Sequence, residues 1–143
     1  MILVDANLLL YAYDASSRFH ARARGWLEEV LSGPDPVGLA WTTVLAFLRI
    51  STNSRALAHP LSLKEAISIV SSWLGQPCVM LLEPGEKHWE ILSSLLESAQ
   101  VRGPLVMDAH LAALALEHGA VLASSDRDFS RFDRLRTLNP LAE

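Results

Sequence analysis

Apolar residues follow two alternating rhythms along this chain. Short unbroken runs, ILVD at 2–5, VGLA at 37–40, CVMLL at 78–82 and AVLAS at 120–124, are bounded by charged or turn-forming residues and read as buried strands. RLRTLN at 134–139 supplies a possible edge strand. Between these runs the apolar residues recur every three or four positions, as on one face of a helix. The spacing predicts helices from near Asn7, over 18–32, over 42–53, from Ser62 to about Leu74, over 86–100, and from Gly103-Pro104 to His118. Ser62-Leu63-Lys64-Glu65 is a capping box, in which serine takes an orphan amide of the first turn and glutamate reaches back. Pro104 suits a first helical turn and Gly119 a helix stop. In the stretch 42–53, Val44, Leu45, Phe47, Leu48 and Ile50 are the apolar positions of the helix and leave Arg49 polar.

Strands alternating with helices indicate an α/β fold, with helices on both sides of a central, mostly parallel sheet of four to five strands. In such folds ligands collect at the carboxyl ends of the strands. The 143 residues suit one domain spanning 1–143 with one core. No apolar run reaches the roughly 20 residues of a membrane span, and no basic region precedes the first apolar stretch, so the expectation is a cytoplasmic protein without a membrane partner. Cys78 is the only cysteine, which excludes an intramolecular disulfide or thiolate zinc centre; its apolar neighbours place it in the core. The formal charge of −4 gives no overall basic signature of a nucleic-acid binder, although Arg18, Arg22 and Arg24, and Arg127, Arg131, Arg134 and Arg136, are bunched enough for a local basic rim or a solvated helix face.

Charge enters the strand pattern at one end. Asp5 closes the first strand, and Asp126 lies just beyond the fourth, so the two point into one crevice if those strands are neighbours. Asp108 falls in the early turns of the last long helix, on the face carrying Leu111, Ala112 and Ala115, and Asp128 offers a further oxygen from the loop of Asp126. Singly, each has an ordinary explanation as a cap, a turn residue or a helix N-terminal charge, and Asn7 as a helix cap. Together they would repel strongly, which a cation relieves. Oxygen-only donors select a hard ion, Mg2+ or Mn2+. The five histidines show no shared face and read as ordinary, and the four tryptophans as core or interface. No dinucleotide, phosphate-loop or nucleophile-elbow motif is present.

VDAN at 4–7, DAHLAALALEHGA at 108–120 and SSDRDF at 124–129 give the chain a resemblance to the PIN-domain ribonucleases, and more closely to the VapC toxins of bacterial toxin–antitoxin pairs. FLRISTN at 47–53 and the terminal FDRLRTLNP extend it over essentially the whole length. The resemblance implies a three-layer α/β/α domain and a metal-dependent endoribonuclease. Asp5, Asp108 and Asp126 would then hold the metal, Asp128 would assist, and Asn7 and Ser124 would orient the site. It also implies an RNA substrate, a cognate VapB-like antitoxin and a homodimer, with Trp41, Leu45 and Leu48 as contact or core positions. One departure stands out: where many relatives have a glutamate three residues before an arginine, this chain has Ala46, and no acid occurs between Val37 and Lys64. That leaves one or two metals open and supports, as the alternative, a catalytically weak or inactive PIN-fold protein that binds RNA or a partner. A receiver-like regulatory domain fits less well, since no lysine follows Lys87.

Overall fold

A computed structural model describes residues 1–142. Five short strands, β1 (Ile2–Val4), β2 (Val37–Leu39), β3 (Val79–Leu81), β4 (Val121–Ala123) and β5 (Thr137–Leu138), form one sheet in the order β3-β2-β1-β4-β5, with every pair parallel. Six helices connect them: α1 (Ala6–Tyr13), α2 (His20–Ser32), α3 (Trp41–Ser51), α4 (Leu63–Leu74), α5 (His88–Ser98) and α6 (Leu105–His118). A 3-10 turn covers Arg127–Arg131. The three-layer architecture is the expected one, and the 134–139 segment does supply its edge strand.

Period-two alternation splits the interior in two. Leu3 and Leu122 face a core built with α5, α6, Phe129 and Phe132, whereas their neighbours Val4 and Ala123 face a second core with α1 to α4. Each face of the sheet is thus covered, as parallel strands require. In the second core Tyr13, Phe47 and Trp73 pack as a triad, with Phe47 and Trp73 ring centroids 4.7 Å apart, and Trp73 Nε1 donates to the Tyr13 hydroxyl at 3.1 Å. The polar end of each buried aromatic thereby finds a partner.

Helix ends form as the sequence dictates. Ser62 Oγ accepts from the Glu65 amide and Glu65 Oε1 from the Ser62 amide, completing the capping box. Gly119 ends α6 with φ of 66°, a left-handed conformation that glycine adopts without steric cost. Of the two readings open for Leu45, contact or core, exposure favours contact: it is 60% exposed, because α3 buries Thr43, Val44 and Phe47 and turns Leu45 outward with Trp41. Two expectations need correction. The interior holds two cores rather than one, because both faces of the sheet are covered. Cys78 lies at the edge of the core, half-buried, its Sγ directed at the Leu31 carbonyl 3.3 Å away. None of the helices among the described residues is long and apolar enough to cross a membrane.

The strand order fixes where chemistry can occur. From β1 the chain builds outward through β2 and β3, then returns to place β4 on the other side of β1. At that reversal the connections diverge and leave a crevice beyond the carboxyl ends of β1 and β4.

Candidate active site

Asp5 follows β1 directly and Ser124 follows β4, and the Asp5 amide donates to the Ala123 carbonyl at 2.9 Å. The Asp5 side chain caps α1, its Oδ1 accepting from the Ala6 amide at 2.8 Å. Its Oδ2 accepts from Ser124 Oγ at 2.6 Å. Ser124, almost fully buried, also accepts from the Asp126 amide at 3.0 Å, so one hydroxyl ties the first acid to the loop carrying the next two. Asp126 Oδ1 in turn caps the 3-10 turn by accepting from the Asp128 amide at 2.9 Å. Asn7 braces the same loop, its Nδ2 donating to Ser125 Oγ at 3.0 Å.

Asp108 comes from the first turn of α6. Carboxylate oxygens of Asp108, Asp126 and Asp128 all lie within 4.8 Å of one another, close enough to share a cation. Asp5 stands outside this trio, held back by its contacts with α1 and Ser124, but it lines the same cavity as Asp108. The electrostatics link all four. Burial raises the Asp108 carboxyl to about 6, with repulsion from Asp126, Asp5 and Asp128 adding to the rise and Arg131 opposing it. Burial likewise raises Asp5 above the usual carboxylate range, against the hydrogen bonds from Ser124 and Ala6 and with added repulsion from Asp126. Arg131 reaches the Asp128 carboxylate at 3.5 Å from the 3-10 turn, the one guanidinium of the predicted basic rim that pairs with these acids.

These residues fit a hard divalent ion. The donors are all oxygens, the acids repel one another, and the Asn7 Oδ1 is buried with no hydrogen-bond partner among the described residues. The cavity beside them, about 560 Å³, opens toward α3, where Ala46 and Arg49 form part of its wall. A smaller cavity of about 330 Å³ lies on the other side, bounded by Asp126, Ser130 and Asn139.

A family model for the PIN domain matches residues 2–135. The chain belongs to the PIN-domain family. Within it, Ribonuclease VapC37 of Mycobacterium tuberculosis is 44% identical over 142 residues, covering 99% of each chain. Among solved structures, the VapBC2 complex of Rickettsia felis, bound to a DNA fragment from its promoter, superposes with a TM-score of 0.70 at 16% identity, covering 97% of this chain and 98% of that one. VapC20 of Mycobacterium tuberculosis, described as a Sarcin-Ricin loop cleaving toxin, superposes with a TM-score of 0.68 at 20% identity, covering 95% and 99%. The resemblance carried by VDAN, DAHLAALALEHGA and SSDRDF is therefore a relationship across the whole chain.

One polar group of this PIN domain was missed in the sequence. His88, at the start of α5, and His110, on α6, approach with His88 Nε2 and His110 Nδ1 3.0 Å apart, and the Glu117 carboxylate lies 3.8 Å from His88 Nδ1. The histidines do share an environment, formed between two helices rather than on one. The available signal was that each sits on the apolar side of its helix, at positions whose neighbours Leu92 and Leu114 are buried or packed between α5 and α6.

Proposed function

We propose that this chain is the toxin half of a VapBC-type pair and hydrolyses RNA phosphodiester bonds with Mg2+ or Mn2+ held by Asp5, Asp108 and Asp126 and assisted by Asp128. Its class follows from its family: the chain is an endoribonuclease toxin whose partner is an antitoxin. The observation that carries the site assignment is the convergence of three carboxylates within 4.8 Å on a crevice where Asp108 is held near 6 by burial and mutual repulsion. Bringing such groups together without function is costly, and perturbed carboxyls gather where chemistry is done.

The residues divide the work. Asp108, Asp126 and Asp128 present the shared oxygen cluster, with Asp108 partly buried and Asp126 and Asp128 at its exposed rim. Asp5 supplies a half-buried carboxylate from the strand end, and Ser124 fixes its orientation relative to the Asp126 loop. Asn7 anchors that loop through Ser125, and its buried, unpartnered carbonyl oxygen is available as a further neutral oxygen donor. A bound divalent ion supplies Lewis acidity at the scissile phosphate and lowers the pKa of attacking water. Four carboxylates also weaken the hold on an RNA backbone until neutralised, so a bound cation should tighten RNA binding without being required for it.

Ala46 on the cavity wall favours the second reading, a PIN domain weak in turnover that retains binding, because a carboxylate that would help hold a second ion is missing there. We further propose that the protein works in the cytoplasm as a single domain and as a homodimer, with exposed Trp41 available for protein contacts. The test is cleavage of a mixed RNA pool by purified antitoxin-free protein in Mg2+, Mn2+ or EDTA, beside Asp5→Ala and Asp108→Ala. Metal-dependent cutting lost in both variants is the expected result. Well-folded wild type that binds RNA but cuts under no metal would install the second reading.

A further inference from the structure

The α3 wall of the larger cavity has a composition that the carboxylate chemistry does not use. Thr42, Leu45, Ala46 and Arg49 recur at i, i+3, i+4 and i+7, so a single face of α3 lines the cavity over roughly 10 Å. Across from it stand Asp5, Asp108 and Met107. Leu45 and Met107 are 60% and 55% exposed, an apolar lip on a surface where large apolar groups otherwise seek cover. Arg49 is exposed and forms no ion pair among the described residues. The guanidinium acting on Asp108 is that of Arg131, so the charge of Arg49 is left unneutralised beside an acidic site. A volume of about 560 Å³ falls within the roughly 300–1,000 Å³ of small-molecule sites.

We infer that this cavity is the nucleotide-specificity pocket of the enzyme: it seats the base and sugar next to the scissile bond against Ala46, Leu45 and Met107, while Arg49 clamps that nucleotide's outer phosphate. The inference rests on the ribonuclease reading above and deepens it. Ala46 then has a positive role, since the small side chain in the middle of the wall keeps the pocket open where a longer one would fill it. An apolar wall closed by one unpaired guanidinium matches a nucleotide, which presents a π-face and an anion a few ångströms apart. The pocket is also continuous with the carboxylates, so an occupant seated there delivers its neighbouring phosphate to them.

The test combines binding and cutting. Affinity for a labelled single-stranded RNA is measured in EDTA between about 50 and 200 mM KCl. Arg49→Ala should lower the slope of log affinity against log salt by about 0.7, one phosphate contact on a single strand, and weaken binding roughly tenfold at low salt. Arg49→Lys should restore the slope, and Lys64→Ala on α4 should leave it unchanged. In Mg2+, Arg49→Ala should raise KM more than it lowers kcat. Ala46→Leu should change the base distribution beside the cut bond, read by sequencing the new ends. If wild type cuts with metal but Arg49→Ala keeps its salt slope and Ala46→Leu keeps the cutting pattern, the pocket assignment is wrong and the ribonuclease reading stands. If Arg49→Ala weakens antitoxin binding and leaves RNA binding intact, the cavity is a protein-docking site and the inference is overturned. Wild type that neither binds nor cuts RNA would remove the ribonuclease reading, and this inference with it.

Discussion

Helix α6 carries a carboxylate at each end, and the two behave oppositely to what the helix dipole favours. Asp108 in the first turn should be helped as an anion by the positive end, and Glu117 in the last turn should be hindered by the negative end. Instead the Asp108 carboxyl is raised to about 6 and that of Glu117 is lowered. The difference lies in what surrounds them. Glu117 accepts from the Gly85 amide at 2.8 Å and the Lys87 amide at 3.1 Å, so its charge fastens the loop before α5 to the end of α6. Asp108 is partly buried among three other acids, with Arg131 as the opposing charge. A carboxylate satisfied by its own chain is a structural fastening; one left in mutual repulsion is waiting for something outside the chain.

The sharpest way to break this comparison is to neutralise each end of α6 in turn. Asp108→Asn should reduce RNA cleavage by more than about a hundredfold, since it removes a ligand itself, and ligand-orienting groups alone are worth 10–100-fold. The same change should raise the melting temperature of the metal-free protein at neutral pH, because repulsion is relieved. Glu117→Gln should do the reverse, lowering the melting temperature and leaving cleavage in place. Steady-state cleavage and thermal melts of the two variants decide it; equal behaviour in both assays would erase the distinction.

A smaller effect tests how the acids are held. Ser124→Ala removes the hydroxyl that donates to Asp5 at 2.6 Å and accepts from the Asp126 amide at 3.0 Å. Cleavage should fall about 10–100-fold, with a matching loss of affinity for Mn2+ followed by electron paramagnetic resonance. Unchanged metal affinity would mean that Asp5 is oriented by its α1 cap alone.

Much of this was legible in the chain because its signals are local. Unbroken apolar runs mark the strands, Ser62 and Glu65 mark a helix start, and Asp5 and Asp126 at strand ends mark the crevice once β1 and β4 are taken as neighbours. What escaped was set by geometry between elements. That Asp128 joins Asp108 and Asp126 more closely than Asp5 does depends on the 3-10 turn and on the hydrogen bond that draws Asp5 toward Ser124. The pairing of His88 with His110 depends on the packing of α5 on α6, and the exposure of Leu45 on the rotation of α3 over the sheet. Helical periodicity names a face, yet α3 has apolar residues on more than one, and only the packed neighbours select which is buried.

The finest test of the two ends of α6 is their opposite dependence on pH. A carboxyl whose folded pKa is raised binds its proton more tightly in the folded state, so its contribution to stability is largest at low pH and is lost as pH rises toward about 6. Glu117, lowered from the ordinary 4.5, contributes stability above that value and loses it as pH falls. The metal-free protein should therefore gain stability between pH 7 and pH 5, by about 1 kcal/mol from Asp108 once solvent screening of this half-exposed group is allowed for, or roughly 2–4 °C in Tm. Asp5, raised in the same sense, adds to the trend, while His110, lowered by burial and by the neighbouring His88, loses stability as pH falls and subtracts from it. As pH falls further, through the lowered folded pKa of Glu117, that residue's share of the stability is lost as its grip on the Gly85 and Lys87 amides weakens, opposing the gain from Asp108. Saturating Mg2+ should invert the first part of the profile, because protons and the ion compete for the same oxygens and the ion loses as pH falls below 6. Thermal melts from pH 4 to 8 in EDTA and in Mg2+ read both limbs. In Asp108→Asn the EDTA limb should flatten while the Glu117 limb persists, and a profile indifferent to Mg2+ in the wild type would show that the acids at the start of α6 hold no cation.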